Sequence, residues 1–268
     1  MVFLQNVLVI GGGVSALDIG NDLKPVVQNL WQSTRNGLFD LPPSGVPVGE
    51  IAYFELQDDS GDSSNGQLPL TVHLKSGQKL CGIDRIIVCT GYHITIPFLS
   101  QYHEDNVTPE KASNTVLVTD GTMAHNLHYD IFYIPDPTLA FVGIPYYTAT
   151  FSLFEFQAIV VAAVFSGVAK LPSSNQMREA YQERLRQQGS GKSFHSLKDK
   201  EEKYVRELLG WVNGDRAIFG LGPIEGHSDF WLAQKEKQRE RIHLIFANKV
   251  NGGTNNDEKS VVEIKSTC

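Results

Sequence analysis

Val7-Leu8-Val9-Ile10-Gly11-Gly12-Gly13-Val14-Ser15-Ala16 is the stretch on which the fold turns. Four apolar residues with no polar alternation fit a strand buried on both faces of a parallel sheet. Three glycines then turn the chain. Beyond them Ala16, Leu17, Gly20 and Leu23 recur at helical spacing. Pro25 marks where that helix ends or kinks. Leu30-Trp31-Gln32 reads as the next strand, so the sequence predicts a βαβ unit at the start of an α/β fold.

The spacing Gly11-x-Gly13-x-x-Ala16 gives each position a physical task. Gly11 allows the tight turn, Gly13 lets a diphosphate approach the backbone, and Ala16 is small enough for helix and strand to pack closely. The amides near Val14 and Ser15 would point at the phosphates, and the helix dipole favours that charge. The motif alone is weak evidence, but here it follows a strand and opens a helix, the context it requires. At the end of the second strand a site for NAD carries an acid on the ribose. This chain has Gln32-Ser33-Thr34-Arg35, with two hydroxyls, a guanidinium and no acid. A guanidinium suits a phosphate, which favours NADP over NAD or FAD.

Outward from this unit, residues 41–49 read as a Pro/Gly-rich loop. Strands are expected at 51–56 and 70–74, joined by an exposed loop at 58–66. Ser76-Gly77 is a further turn. A second buried strand, 83–89, ends in Thr90-Gly91, a small-residue turn of the kind found where a chain passes close to a ligand or another domain. A third buried strand is expected at 138–144, and a helix over about 153–168 is stopped by Pro172. The remainder to residue 248 is charged and amphipathic, and reads as mostly helical. The polar tail from Asn251 reads as disordered.

Composition narrows the function. Lys and Arg number 23 against 30 Asp and Glu, a net charge of −7 that argues against nucleic acid as a partner. No apolar run approaches the about 20 residues a membrane span needs. The three widely spaced cysteines form neither a disulfide framework nor a zinc site, which fits a reduced, cytoplasmic setting. His125 and His128 have no carboxylate cluster beside them and read as structural, so no metal is expected. Cys89 reads as a small hydrophobe. The charge-alternating segments 198–206 and 235–241 read as solvated faces.

The glycine turn of residues 11–18, Cys89-Thr90-Gly91-Tyr92 with Pro97-Phe98, and the run Ile131-Phe132-Tyr133-Ile134-Pro135-Asp136-Pro137-Thr138-Leu139-Ala140-Phe141-Val142-Gly143 together resemble the flavin-containing monooxygenases, particularly the fungal ones. The likeness continues through Leu171-Pro172-Ser173 and Ser193-Phe194-His195-Ser196-Leu197. It implies two dinucleotide-binding domains. NADPH reduces FAD, which takes up O2 and delivers one oxygen atom to a soft nitrogen or sulfur nucleophile. The implied architecture is a Rossmann-like NADP-binding domain at residues 3–84. The C-terminal part of an FAD-type domain follows at 85–172, then a helical region at 173–248 and a tail at 249–268. Gly11, Gly13, Val14, Ser15, Ala16, Ser33, Thr34 and Arg35 would hold NADP, with Thr90 and Gly91 at the crossing near flavin. Strand 138–143 and the helix near Phe154 would lie beside it. The family's first GxGxxG turn, its Phe-x-Gly-x-x-x-His fingerprint and its catalytic Asn have no counterpart here, so only the C-terminal half is matched and the FAD diphosphate site is missing. No catalytic acid or base can be named. The alternative is an inactive NADP-binding remnant or interaction protein. Substrate and oligomeric state are not legible.

Overall fold

The strand that precedes the glycines, β1 (Asn6–Ile10), is an inner strand of a four-stranded sheet in a computed structural model that describes residues 5–35, 43–57 and 66–251. Its neighbours are β2 (Asn29–Ser33) and β7 (Arg85–Val88), both parallel to it. β3 (Val46–Val48) pairs in parallel with β2, giving the order β3-β2-β1-β7. Alternate residues of β1 face opposite layers. Val7 and Val9 pack with Ala16 of α1 (Val14–Leu23). Leu8 and Ile10 pack with Val72, Leu74 and Leu80 of a three-stranded antiparallel sheet. That sheet has the order β4 (Ile51–Leu56), β5 (Leu70–Leu74), β6 (Lys79–Leu80). The parallel sheet thus has a helix on one face and a sheet on the other.

The described residues divide into two units, those of Met1–Tyr92 with Glu236–Cys268, and His93–Lys235. The second is mostly irregular chain up to residue 149, with a short hairpin, β8 (Leu127–His128) with β9 (Phe132–Tyr133), and is helical beyond it. α2 (Thr150–Phe165) packs on α4 (Glu201–Ile218), burying Leu153, Val160 and Ala163 against Val205, Leu208 and Val212. α3 (Ser174–Gln188) starts at a capping box in which Ser173 and Gln176 satisfy each other's backbone amides. Its Met177 and Tyr181 pack with Met123, Ile134 and Phe194. α5 (Asp229–Asn251) is the last described element.

Four expectations about the elements change. The loop at 41–49 contains β3, because β2 offers a free edge that a short Val-Pro-Val segment can pair with. Strand 83–89 is not fully buried: β7 is the edge of the described sheet, and Val88 is 67% exposed. Residues 138–144 form no strand. Phe141 N–H bonds back to Ile131 and only one bridge, Phe132 to Ala140, forms, since the Pro135-Asp136-Pro137 turn folds the chain back on itself. The helix expected over about 153–168 runs from Thr150 to Phe165 and ends before Pro172, with Gly167 taking a left-handed φ of +78°. β7 lies beyond the boundary drawn at residue 84, yet it is hydrogen-bonded to β1. The loop at 58–65 and the tail from 252 lie outside the described residues.

Candidate functional site

The candidate site lies at the carboxyl ends of β1, β2 and β7, where ligands bind in open parallel sheets. Gly11 leaves β1 with φ +136°. A Cβ there would sit 2.2 Å from the Cys89 carbonyl oxygen, so β7 and the turn touch backbone to backbone. The Gly11 amide donates to the Ser33 carbonyl at 2.8 Å, tying the turn to β2 as well. Gly13 is the residue preceding α1, in extended conformation, and a Cβ on it would meet nothing within 4 Å. No side chain caps the helix, and no acid stands in its first turn. The first helical hydrogen bond runs from Leu17 to the Gly13 carbonyl, which leaves the amides of Val14, Ser15 and Ala16 at the helix opening. Val14 and Ser15 are exposed and Ala16 is fully buried.

The three residues after Gln32 divide their work. Ser33 is buried, and its hydroxyl donates to the Gly49 carbonyl at 2.9 Å. Thr34 is also buried, and its Oγ1 has no hydrogen-bond partner among the described residues. Such a group is costly unless a partner arrives. Arg35 is exposed beside it. Thr90 and Gly91 follow β7 directly and are exposed, Gly91 with φ +87°. All ten residues singled out from the sequence therefore lie in the first unit, in or beside the strand ends that frame the glycine turn.

Sequence reasoning missed two supports of this turn. Gln32 is 1% exposed. Its amide donates to the Gly11 carbonyl at 2.9 Å, and its Oε1 accepts from the Ser44 amide at 2.9 Å. The sequence offered little signal, since β2 carries polar Asn29 and Ser33 as well as Gln32. The other is Gly20 within α1, where a Cβ would meet Ser44 Oγ at 1.8 Å. Close helix packing thus depends on Gly20 as much as on Ala16.

The second unit holds two charge clusters. Asp130, wholly buried, takes both Arg184 guanidinium nitrogens at 2.8 Å and His195 Nδ1 at 2.8 Å. Burial opposes its ionisation, but His195 and Arg184 hold its pKa below the ordinary value. Glu201, also buried, accepts from the Ala149 amide and pairs with Lys235. These clusters tie loops to helices. His125 and His128 are buried, and burial pushes each pKa down to about 4. No group of three or more metal-ligating side chains occurs among the described residues. No described helix is long and apolar enough to cross a membrane.

Residues 70–221 match the model of a family described as flavin-binding monooxygenase-like. Flavin-containing monooxygenase ustF2 of Aspergillus flavus is 52% identical over 244 residues, 88% of this chain and 49% of that protein. Flavin-containing monooxygenase ustF1 of the same organism is 42% identical, with coverages of 87% and 44%. The chain thus spans about half the length of these relatives. Among solved structures, S-allyl-L-cysteine S-oxygenase from Allium sativum aligns with a TM-score of 0.60 at 24% identity, over 89% of this chain and 50% of that one. That likeness is one of fold.

Proposed function

Because the chain belongs to the flavin-binding monooxygenase-like family, we propose that its first unit binds NADPH and its second forms one side of an FAD site in a monooxygenase. The reaction in this reading passes one oxygen atom from O2 to a soft nitrogen or sulfur nucleophile. The rest of the FAD site belongs to the half of the relatives that this chain does not span. The reading rests above all on the uncapped opening of α1, set above a glycine whose missing Cβ leaves open space.

The residues fit a pyridine dinucleotide. A diphosphate placed at Gly13 meets the amides of Val14, Ser15 and Ala16 and the positive end of the helix dipole. No carboxylate in the first turn of α1 repels it. Arg35 supplies a cation for a 2′-phosphate, and Thr34 Oγ1 gains a partner. Gly11, wedged on the Cys89 carbonyl, keeps the turn tight. Thr90 and Gly91 leave β7 beside that turn and would line the path toward the flavin. When bound, the two cofactors supply the hydride and the oxygen-activating chemistry, and the protein supplies orientation and exclusion of water.

Calorimetric titration with NADP and with NAD tests the coenzyme half. NADP is expected to bind more tightly. Arg35→Gln should cost NADP roughly ten- to a hundredfold in affinity, the worth of a charge-assisted hydrogen bond, and leave NAD unchanged. Absence of heat with both coenzymes, or an Arg35→Gln loss shared equally by both, would refute the assignment.

A further inference from the structure

Within the second unit, the chain from Pro109 to Asn114 faces the last turns of α3 across a cleft of about 400 Å3. His125 and Asn126, the most buried residues of its lining, form the floor. His125 Nε2 lies 2.9 Å from Thr119 Oγ1, and burial keeps the ring uncharged at neutral pH. The walls are tied in place. The Asn126 carboxamide donates to the Ser113 and Val116 carbonyls at 2.9 and 2.8 Å, which fixes the loop to the floor. The Ser190 hydroxyl donates to Glu110 Oε1, which fixes the single turn Pro109–Lys111 to the chain just past α3. These bonds preform the cleft, whose volume is that of a small-molecule site.

The charge of the cleft is one-sided. Glu110 is exposed on one wall. The groups acting on its carboxyl are the Ser190 hydroxyl, its own amide, the Thr108 hydroxyl and the Asp120 carboxylate, with no cation among them. The hydroxyl and amide donors hold its pKa below the ordinary value, so it is ionised at neutral pH. The opposite wall ends in the C-terminus of α3. Its last helical hydrogen bond runs from the Gly189 amide to the Leu185 carbonyl, so the carbonyls after Leu185 accept no helical bond. The negative end of the helix dipole thus lies at Gly189 and Ser190, on the rim. Arg186, also on the rim, is taken up by Glu183 at 3.0 and 2.5 Å. Between these charges Pro109, Ala112 and Leu185 present apolar surface.

We infer that this cleft binds an organic monocation, a protonated primary amine with a compact apolar body. An ammonium beside Glu110 supplies the cation that carboxylate lacks, and its other N–H groups face the free carbonyls at the end of α3. The apolar body covers Pro109, Ala112 and Leu185. An anion would meet both the carboxylate and the negative helix end. A metal ion would find too few ligands, since no group of three or more metal-ligating side chains occurs among the described residues. A protonated amine has no free electron pair to accept oxygen. The cleft is therefore a holding site and not a place of oxygen transfer, and it goes beyond the monooxygenase reading. It uses residues of the second unit alone, so it stands apart from the coenzyme assignment.

The test is titration of the isotope-labelled 268-residue chain with benzylammonium chloride, followed by amide chemical shifts, with benzyl alcohol as the uncharged counterpart. The amides of Ala112, Ser113 and Ser190 should shift saturably, with a dissociation constant on the order of 1–10 mM for so small a ligand. Benzyl alcohol should bind about fivefold more weakly, the worth of one exposed ion pair. Glu110→Gln should weaken the amine by about the same factor and leave the alcohol within about twofold. Ser190→Lys, which tethers an ammonium beside Glu110, should abolish the difference between amine and alcohol. Glu207→Gln on α4, outside the cleft, should change neither. The same spectra report whether each variant keeps the parent fold. The inference is overturned if no amide of residues 109–114 or 181–190 shifts saturably, or if the alcohol binds as tightly as the amine. It is equally overturned if Glu110→Gln leaves the amine's affinity unchanged, or if potassium or magnesium chloride reproduces the same shifts at the same concentrations.

Discussion

Gly11 and Gly13 stand two residues apart and do different work, which makes them a useful pair of substitutions. At Gly11 a methyl group would collide with the Cys89 carbonyl and strain a φ of +136°. Gly11→Ala should therefore destabilise the first unit by about 3 kcal/mol or more, measured as a lower midpoint in urea unfolding. At Gly13 the same methyl group meets open space and an ordinary extended φ of −90°. Gly13→Ala should leave the unfolding midpoint within about 0.5 kcal/mol of the parent while weakening NADP binding by tenfold or more. Equal stability losses at both positions would contradict the geometry. The requirement for Gly11 was legible in the motif. Gln32 was not, because its partners, the Gly11 carbonyl and Ser44, are brought to it only by the fold.

Among elements, the β8–β9 hairpin carries the clearest strain. Tyr129 and Asp130 both have left-handed φ, +54° and +58°, in a tight turn closed by the Ile131 amide on the His128 carbonyl. Neither residue is a glycine, so the turn is held from outside. Asp130 is the anchor, through Arg184 of α3 and His195. Asp130→Asn keeps the shape but removes the charge. It leaves Arg184 and His195 without their anion, and should cost about 3–5 kcal/mol in urea unfolding. Little of this could be read from the sequence, since the two partners lie 54 and 65 residues from Asp130. What could be read were elements with local signals. β1, α1 and the β4 and β5 strands stand where alternation, apolar runs and glycine turns put them. β3 and the failed strand at 138–144 were misjudged because strand formation there depends on which edge is available, a property of the assembled sheet.

At the scale of the whole molecule, acidity should weaken the second unit before any surface charge matters. His125 and His128 have folded pKa values near 4, against 6.5 for an exposed imidazole. The unfolded chain therefore takes up protons first. The contribution is complete above pH 6.5 and is lost as pH falls from 6.5 toward 4, by up to about 1.4 kcal/mol per pH unit for each histidine. Thermal unfolding midpoints should drop across that window. His128→Phe should flatten the drop, since His128 Nε2 has no hydrogen-bond partner among the described residues and the ring already packs edge-on against Tyr129 and Trp211. A pH profile unchanged by that substitution would argue against the buried neutral imidazole. The change from glycine-rich α/β sequence to charged helical sequence falls near residue 173, inside the second unit, and does not mark the division of the chain; nor was the exposure of Phe151 and Phe165 on α2 legible. Periodicity says that a segment is apolar and is silent on how many sides find cover. The buried amide of Gln32 also constrains how this lineage could drift. An acid there, the simplest step toward favouring the unphosphorylated coenzyme, would set a carboxylate against the Gly11 carbonyl it now bonds. In the coenzyme reading proposed above, an evolutionary exchange of preference would begin farther along, at Thr34 or Arg35, where the mutational path is open.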